Sequence, residues 1–81
     1  MSFHIQERSI TTDIWVMPVS YRIKGIVRAT NVSVLEQTIR EAADVRTLSF
    51  PTNLRIVTDD GEPVSRWKVW PGRAKKLRRR Y

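Results

Sequence analysis

From Ile14 onward, apolar and polar positions alternate. Trp15, Met17, Val19, Tyr21, Ile23, Gly25, Val27 and Ala29 hold the odd positions, and Ser20, Arg22, Lys24, Arg28 and Thr30 hold even ones. A period of two marks extended chain with one face buried. The run is long against the roughly five or six residues of an ordinary strand. Pro18 also has no N–H to give a ladder. A bend near residues 18–20 therefore predicts two antiparallel strands, at about 13–18 and 21–29. Upstream, Phe3, Ile5 and Ile10 suit either a short strand or a loose N-terminal segment over residues 1–12.

The period then changes. Leu35, Ile39, Ala42 and Ala43 recur at the spacing of one helical face, while Glu36, Gln37, Arg40, Glu41 and Asp44 fall on the other side. Ser33 followed by Glu36 has the form of a capping box, in which the serine oxygen accepts from the third helical amide and the glutamate reaches back. The pattern predicts a helix over 34–44. Its solvent side is more acidic than basic, which is the wrong sign for a helix that enters a DNA groove.

Extended character returns at residues 47–50 and 54–57, interrupted by Pro51. Asp59-Asp60-Gly61 reads as a turn, because glycine accepts positive φ and aspartate bonds to nearby backbone. From Glu62 to Trp70, Val64 falls on one parity and Trp67 and Val69 on the other, which predicts a bulge near Ser65 or Arg66. Pro71-Gly72 reads as the end of the body. The order strand, strand, helix, strand, strand predicts a small α+β domain over residues 13–70. Its antiparallel sheet would be open, or closed in part into an SH3-like or Sm-like barrel.

Tyr21-Arg22-Ile23-x-Gly25-x-Val27, the helix carrying Leu35 and Ile39, Phe50-Pro51-Thr52-Asn53-x-Arg55-Ile56 and the Asp60-Gly61 turn together resemble a group of small uncharacterised bacterial domains. These share a Tyr-Arg-Ile-x-Gly strand, a helix and a late hairpin. The resemblance spans about residues 14–66 and implies a fold. It carries no functional residue.

Charge changes the picture at the C-terminus. Of the chain's 81 residues, 15 are Lys or Arg and 8 are Asp or Glu. Residues 66–81 hold eight of the cations and no acid, leaving seven basic against eight acidic residues in 1–65. The excess is a block, which reads as an appended arm over 71–81, disordered when free and ordered on binding.

Several chemistries are excluded or disfavoured. Without cysteine there are no disulfides, thiolate metal ligands or thiol nucleophile. The absence of staples in so small a chain favours the cytoplasm. No apolar run approaches the roughly 20 residues of a membrane span, and the N-terminus lacks the pattern of a secretory signal. The single histidine, His4, reads as an ordinary exposed residue, and the three isolated glycines make no phosphate-cradling loop. The sequence therefore predicts no enzyme, no metal and no cofactor.

What remains is binding. Lys and Arg release counterions from any polyanion, and an aromatic face stacks on an unpaired base. The residues expected to meet nucleic acid, RNA or DNA, are Arg66, Lys68, Trp70, Arg73, Lys75, Lys76, Arg78, Arg79, Arg80 and Tyr81. A second basic set on the body, Arg22, Lys24 and Arg28, extends that footprint or is simply a solvated face. Trp67 and Trp70 also suit packing roles. The competing expectation is an assembly or adaptor subunit that docks by a sheet edge and sets its arm on an acidic protein surface. Homo-oligomer formation stays open.

Overall fold

A computed structural model describes residues 2–8, 14–17, 27–44 and 52–77. They form strands β1 (Phe3–Arg8) and β2 (Arg28–Ala29), helix α1 (Val32–Ala42), and strands β3 (Thr52–Thr58), β4 (Pro63–Trp70) and β5 (Arg73–Leu77). The fold is α+β. One helix lies against a five-stranded antiparallel sheet of order β2-β1-β3-β4-β5. β2 and β5 are its two edges, so the sheet is open, and no pairing among the described residues closes it into a barrel. No helix among them is long and apolar enough to cross a membrane.

Of the first twelve residues, Phe3–Arg8 form a strand, and residues 9–12 lie outside the described set. β1 pairs with β3 over its whole length, from Phe3 opposite Thr58 to Arg8 opposite Asn53. His4 accordingly sits half-buried in a strand, its Nδ1 buried and without a hydrogen-bond partner among the described residues, and is not an exposed residue of a loose terminus. Of the long alternating run, residues 14–17 and 27–29 are described, and both pieces border β1. Val16 exchanges two 2.8 Å backbone bonds with Glu7, and β2 pairs with Phe3 and His4. Both pieces are antiparallel to β1, so they run in one direction along the same edge and not against each other. The rest of the two expected strands, and the segment 47–50, lie outside the described residues.

α1 begins two residues before the expected start. Asn31, in extended conformation, is the N-cap, and its side chain accepts from the Ser33 amide at 2.9 Å. Asn and Ser serve this role about equally well. Here Ser33 lies inside the helix and its hydroxyl donates to Asn31 instead. Glu36 does not reach back to the cap. It ion-pairs with Lys76 of β5 at 2.8 Å and accepts from Ser65 Oγ at 3.4 Å.

The helix face read from the sequence is the core. Leu35, Ile39, Ala42 and Ala43 pack with Ile5 of β1, Leu54 and Ile56 of β3, and Trp67 and Val69 of β4. Trp67 is 2% exposed, and its indole N–H donates to Ser65 Oγ at 2.6 Å. The Arg40 guanidinium lies 5.2 Å from its ring centroid. Buried Glu7 accepts from Thr52 Oγ1 at 2.9 Å.

Both turns behave as their residues require. Asp59-Asp60-Gly61 joins β3 to β4, with Gly61 at φ 86°. Bonds from Gly61 N to Thr58 O and from Thr58 N to Glu62 O, each 2.9 Å, close it. The bulge lies at Val64: Ile56 faces Ser65 but Val57 faces Pro63. That is one residue before the expected position.

Pro71-Gly72, in contrast, does not end the body. It turns the chain into β5, which pairs with β4 from Trp70 opposite Arg73 to Arg66 opposite Leu77. Gly72 has φ 79°, which fits the Pro-Gly centre of a type II turn. Its N–H donates to the carbonyl of Ala43, the C-cap of α1. That carbonyl belongs to the last turn of the helix, where no intrahelical donor exists. The first part of the expected arm, residues 71–77, is thus a turn and an edge strand locked to the helix. Residues 78–81 lie outside the described set.

Two outcomes follow. Gly72→Ala meets no atom within 4 Å, so its only penalty is the positive φ; it should lower unfolding free energy by about 1–3 kcal/mol in denaturant titration. Asp59 gives a pH signature. Hydrogen bonds from the Ser2 hydroxyl and then the Ser2 amide hold its carboxyl below the usual carboxylate range. A lowered folded-state value stabilises the fold above the unfolded value of about 3.9, and that gain is lost as pH falls through the folded value. Asp59→Asn should therefore melt earlier than the parent near neutral pH and converge with it in acid.

Candidate functional site

Alternate residues of the strands point away from α1, and strand register lines them up. Arg8, Asn53, Lys68 and Lys75 stand side by side across β1, β3, β4 and β5. One step along lie Gln6, Arg55, Arg66 and Leu77, and toward the β4–β5 turn Trp70 faces Arg73. With strands ~4.8 Å apart and successive same-side residues ~6.8 Å apart, the two rows fill a patch of roughly 14 by 7 Å. Five cations stand in these rows, and Arg73 beside Trp70 brings the face to six. No carboxylate belongs to this face among the described strand residues.

Two directly opposed pairs in this patch carry like charge: Arg55 with Arg66, and Lys68 with Lys75. Opposed like charges destabilise a sheet, whereas unlike pairs stabilise it. Among the described residues the cations of these two pairs have no acidic partner; Lys76, on the other side of β5, takes Glu36.

Trp15 lies over the same patch. The bridge between Val16 and Glu7 holds its segment beside β1. Its ring centroid is 4.3 Å from the Arg55 guanidinium carbon, 4.9 Å from that of Arg8 and 6.0 Å from that of Arg66. Arg55 Nε also donates to Gln6 Oε1 at 2.8 Å. Burial, then the charges of Arg66 and Arg8, draw the Arg55 guanidinium below its ordinary value. It remains a cation held in a positive field, with four N–H donors beyond the one Gln6 takes. A second indole stands nearby: half-buried Trp70 has Lys68 Nζ 5.5 Å and the Arg73 guanidinium 5.2 Å from its ring.

The structure brings together five of the sequence-expected residues, Arg66, Lys68, Trp70, Arg73 and Lys75. Lys76 points to the helix side and is engaged by Glu36. Arg28 is exposed on β2, the opposite edge, where its charge helps lower the Asp59 value. Arg22, Lys24, Arg78, Arg79, Arg80 and Tyr81 lie outside the described residues. Three contributors escaped the sequence reading: Arg8, Arg55 and Trp15. The alternating run placed Trp15 and Met17 on a buried face, yet Trp15 meets arginines on the side away from α1, and Met17 and Ile14 are 56% and 63% exposed. The available signal was parity. Gln6 and Arg8, Asn53 and Arg55, and Arg66 and Lys68 are each polar positions two apart, in three separate segments.

No protein-family model, curated protein or solved structure matches this chain.

The like-charge pairs make a direct prediction. Arg66→Gln should raise the unfolding free energy at low salt by roughly 0.2–1 kcal/mol, because it removes an opposed repulsion. The gain should shrink as salt screens the cluster. Denaturant titrations at two ionic strengths measure both.

Proposed function

We propose that this protein is a non-enzymatic nucleic-acid-binding protein whose contact surface is the sheet face away from α1. One observation carries the reading: six cations and two tryptophans share a face on which opposed residues repel. Such an arrangement lowers stability in the free protein and is relieved by a polyanion. Arg offers a planar fork for phosphate oxygens and Lys a mobile point charge, so phosphate contacts fix position while base stacking adds affinity. Arg78, Arg79, Arg80 and Tyr81 follow β5 directly in the sequence and add charge and an aromatic ring to the proposed contact set. The main grip is the sheet face, to which residues 71–77 contribute as turn and strand.

The adaptor alternative draws on a different feature. β5 is a terminal strand of the sheet, so its outer edge is the place for strand addition by a protein partner. Arg73, Lys75 and Lys76 on that strand are the kind of residues that discourage edge pairing, and an acidic partner would be needed to offset them.

Fluorescence-anisotropy titration with labelled oligonucleotides over a range of salt separates the two. Contact with about five phosphates gives a slope of log K against log salt of about −3.5 to −4.5. Lys68→Gln with Lys75→Gln should shallow that slope by about 1.5. A chain ending at Leu77 should still bind with a steep slope. A slope untouched by the double substitution, or no binding at low salt, overturns the proposal and turns attention to the β5 edge.

A further inference from the structure

We infer that the ligand of this face is a single strand, with one phosphate seated among Arg8, Arg55 and Arg66 and one unpaired base stacked on Trp70. This rests on the proposed function and deepens it.

Three features favour a single strand over a duplex. First, among the described residues nothing on this face fits a groove. B-DNA's major groove, about 12 Å wide, admits a helix or a two-stranded ribbon. Here β4 is flanked on both sides by β3 and β5 in one continuous sheet, and α1 lies on the other face. Second, the two indoles have different surroundings. Trp15 is crowded by three guanidiniums, the nearest at 4.3 Å. A guanidinium stacked on a ring keeps its in-plane N–H groups free, so Trp15 orients arginine donors instead of presenting an open platform. Trp70 has two cations over its ring, at 5.2 and 5.5 Å, but one of them is the ammonium on the flexible stem of exposed Lys68, which a base can displace from the ring face. The displaced ammonium and the Arg73 guanidinium then stay within reach of the phosphates next to the stacked base. Third, the order of groups is linear. Along β4 the chain presents Arg66, Lys68 and Trp70 on one side, and β5 sets Lys75 and Arg73 beside them. A flexible backbone can follow this track from the arginine cluster to the platform, while a duplex keeps its bases paired and cannot lay one flat on Trp70.

The test uses the full chain with labelled 12-nucleotide single-stranded RNA, the same sequence as single-stranded DNA, and a duplex of equal phosphate count, at one fixed salt. Single strands are expected to bind at least about 10-fold tighter than the duplex, which corresponds to a stacked base. Trp70→Ala should weaken single-strand binding about 5- to 150-fold and leave weak duplex binding unchanged, and Trp70→Phe should restore most of the loss. Arg55→Lys, which keeps the charge but not the fork, should weaken single-strand binding several-fold. In the unmodified chain, single strands should quench tryptophan emission, which needs no variant to fold. RNA and DNA binding alike supports the shared chemistry; preference for one adds contacts to the sugar. Duplex binding as tight as single-strand binding, or no effect of Trp70→Ala in a variant with an unchanged melting profile, overturns the single-strand inference while leaving nucleic-acid binding standing. Absence of binding to all three probes removes the proposed function itself.

Discussion

The seating of α1 on one side of the sheet determines everything else. Leu35 and Ile39 bury against Ile5, Leu54, Ile56, Trp67 and Val69, and that choice fixes the pleat. Strand neighbours point to opposite faces, so once Leu54 and Ile56 face the helix, Asn53 and Arg55 cannot. The same holds for Arg66 and Lys68 around Trp67 and Val69. The basic face is thus the geometric complement of the core, and a one-residue slip in any strand would destroy both. The bulge at Val64 serves this register. It takes up the parity change between the hairpin turn and the Trp67–Val69 stretch.

The helix also holds the edge strand in place. Gly72 N–H donates to the helix C-cap carbonyl, and Lys76 pairs with Glu36. Lys76 is 54% and Glu36 16% exposed, so the pair is only partly shielded and its contribution is about 1 kcal/mol or less. Its structural effect exceeds its energy. It extends through Ser65 Oγ to the Trp67 indole, and so joins α1, β4 and β5 in one polar chain. A strand as cationic as Arg73–Leu77 has little apolar surface to dock by, and these contacts keep its cations in register with those of β4. The resulting opposed lysines and arginines are unfavourable in isolation. Their persistence beside two indoles is the feature on which the proposed polyanion site rests.

Much of the core was legible in the chain. The helical period at Leu35, Ile39, Ala42 and Ala43, the Asp-Asp-Gly turn and the opposite parity of Val64 and Trp67 are local signals, and each led to the right element. Signals with two local meanings misled. Asn31 and Ser33 are equally good caps, and Glu36 found a stronger partner across space than within its own turn. Pro71-Gly72 terminates a body as readily as it turns a hairpin. Arg73–Leu77 shows no apolar alternation, so its composition resembled an arm, and only the ladder to β4 identifies it as a strand. Trp15 looked like core because its alternating run has an apolar side. Its environment is set by Arg8, Arg55 and Arg66, which come from three strands and meet only after the sheet is registered. The candidate site was half visible for the same reason: the hairpin's own cations stood out as a block, whereas those from β1 and β3 were hidden in a nearly neutral stretch.

The central claim is that the face opposite α1 is where the ligand sits. Backbone amide and indole chemical-shift mapping, with isotopically labelled protein titrated with a short single strand, tests it residue by residue. The account predicts the largest shifts at the indole N–H groups of Trp15 and Trp70 and at the amides of Arg8, Arg55, Arg66, Lys68 and Arg73, with the exposed side of α1 around Gln37, Arg40 and Glu41 unmoved. Shifts centred on α1, or confined to residues 78–81 with both indoles silent, would contradict it.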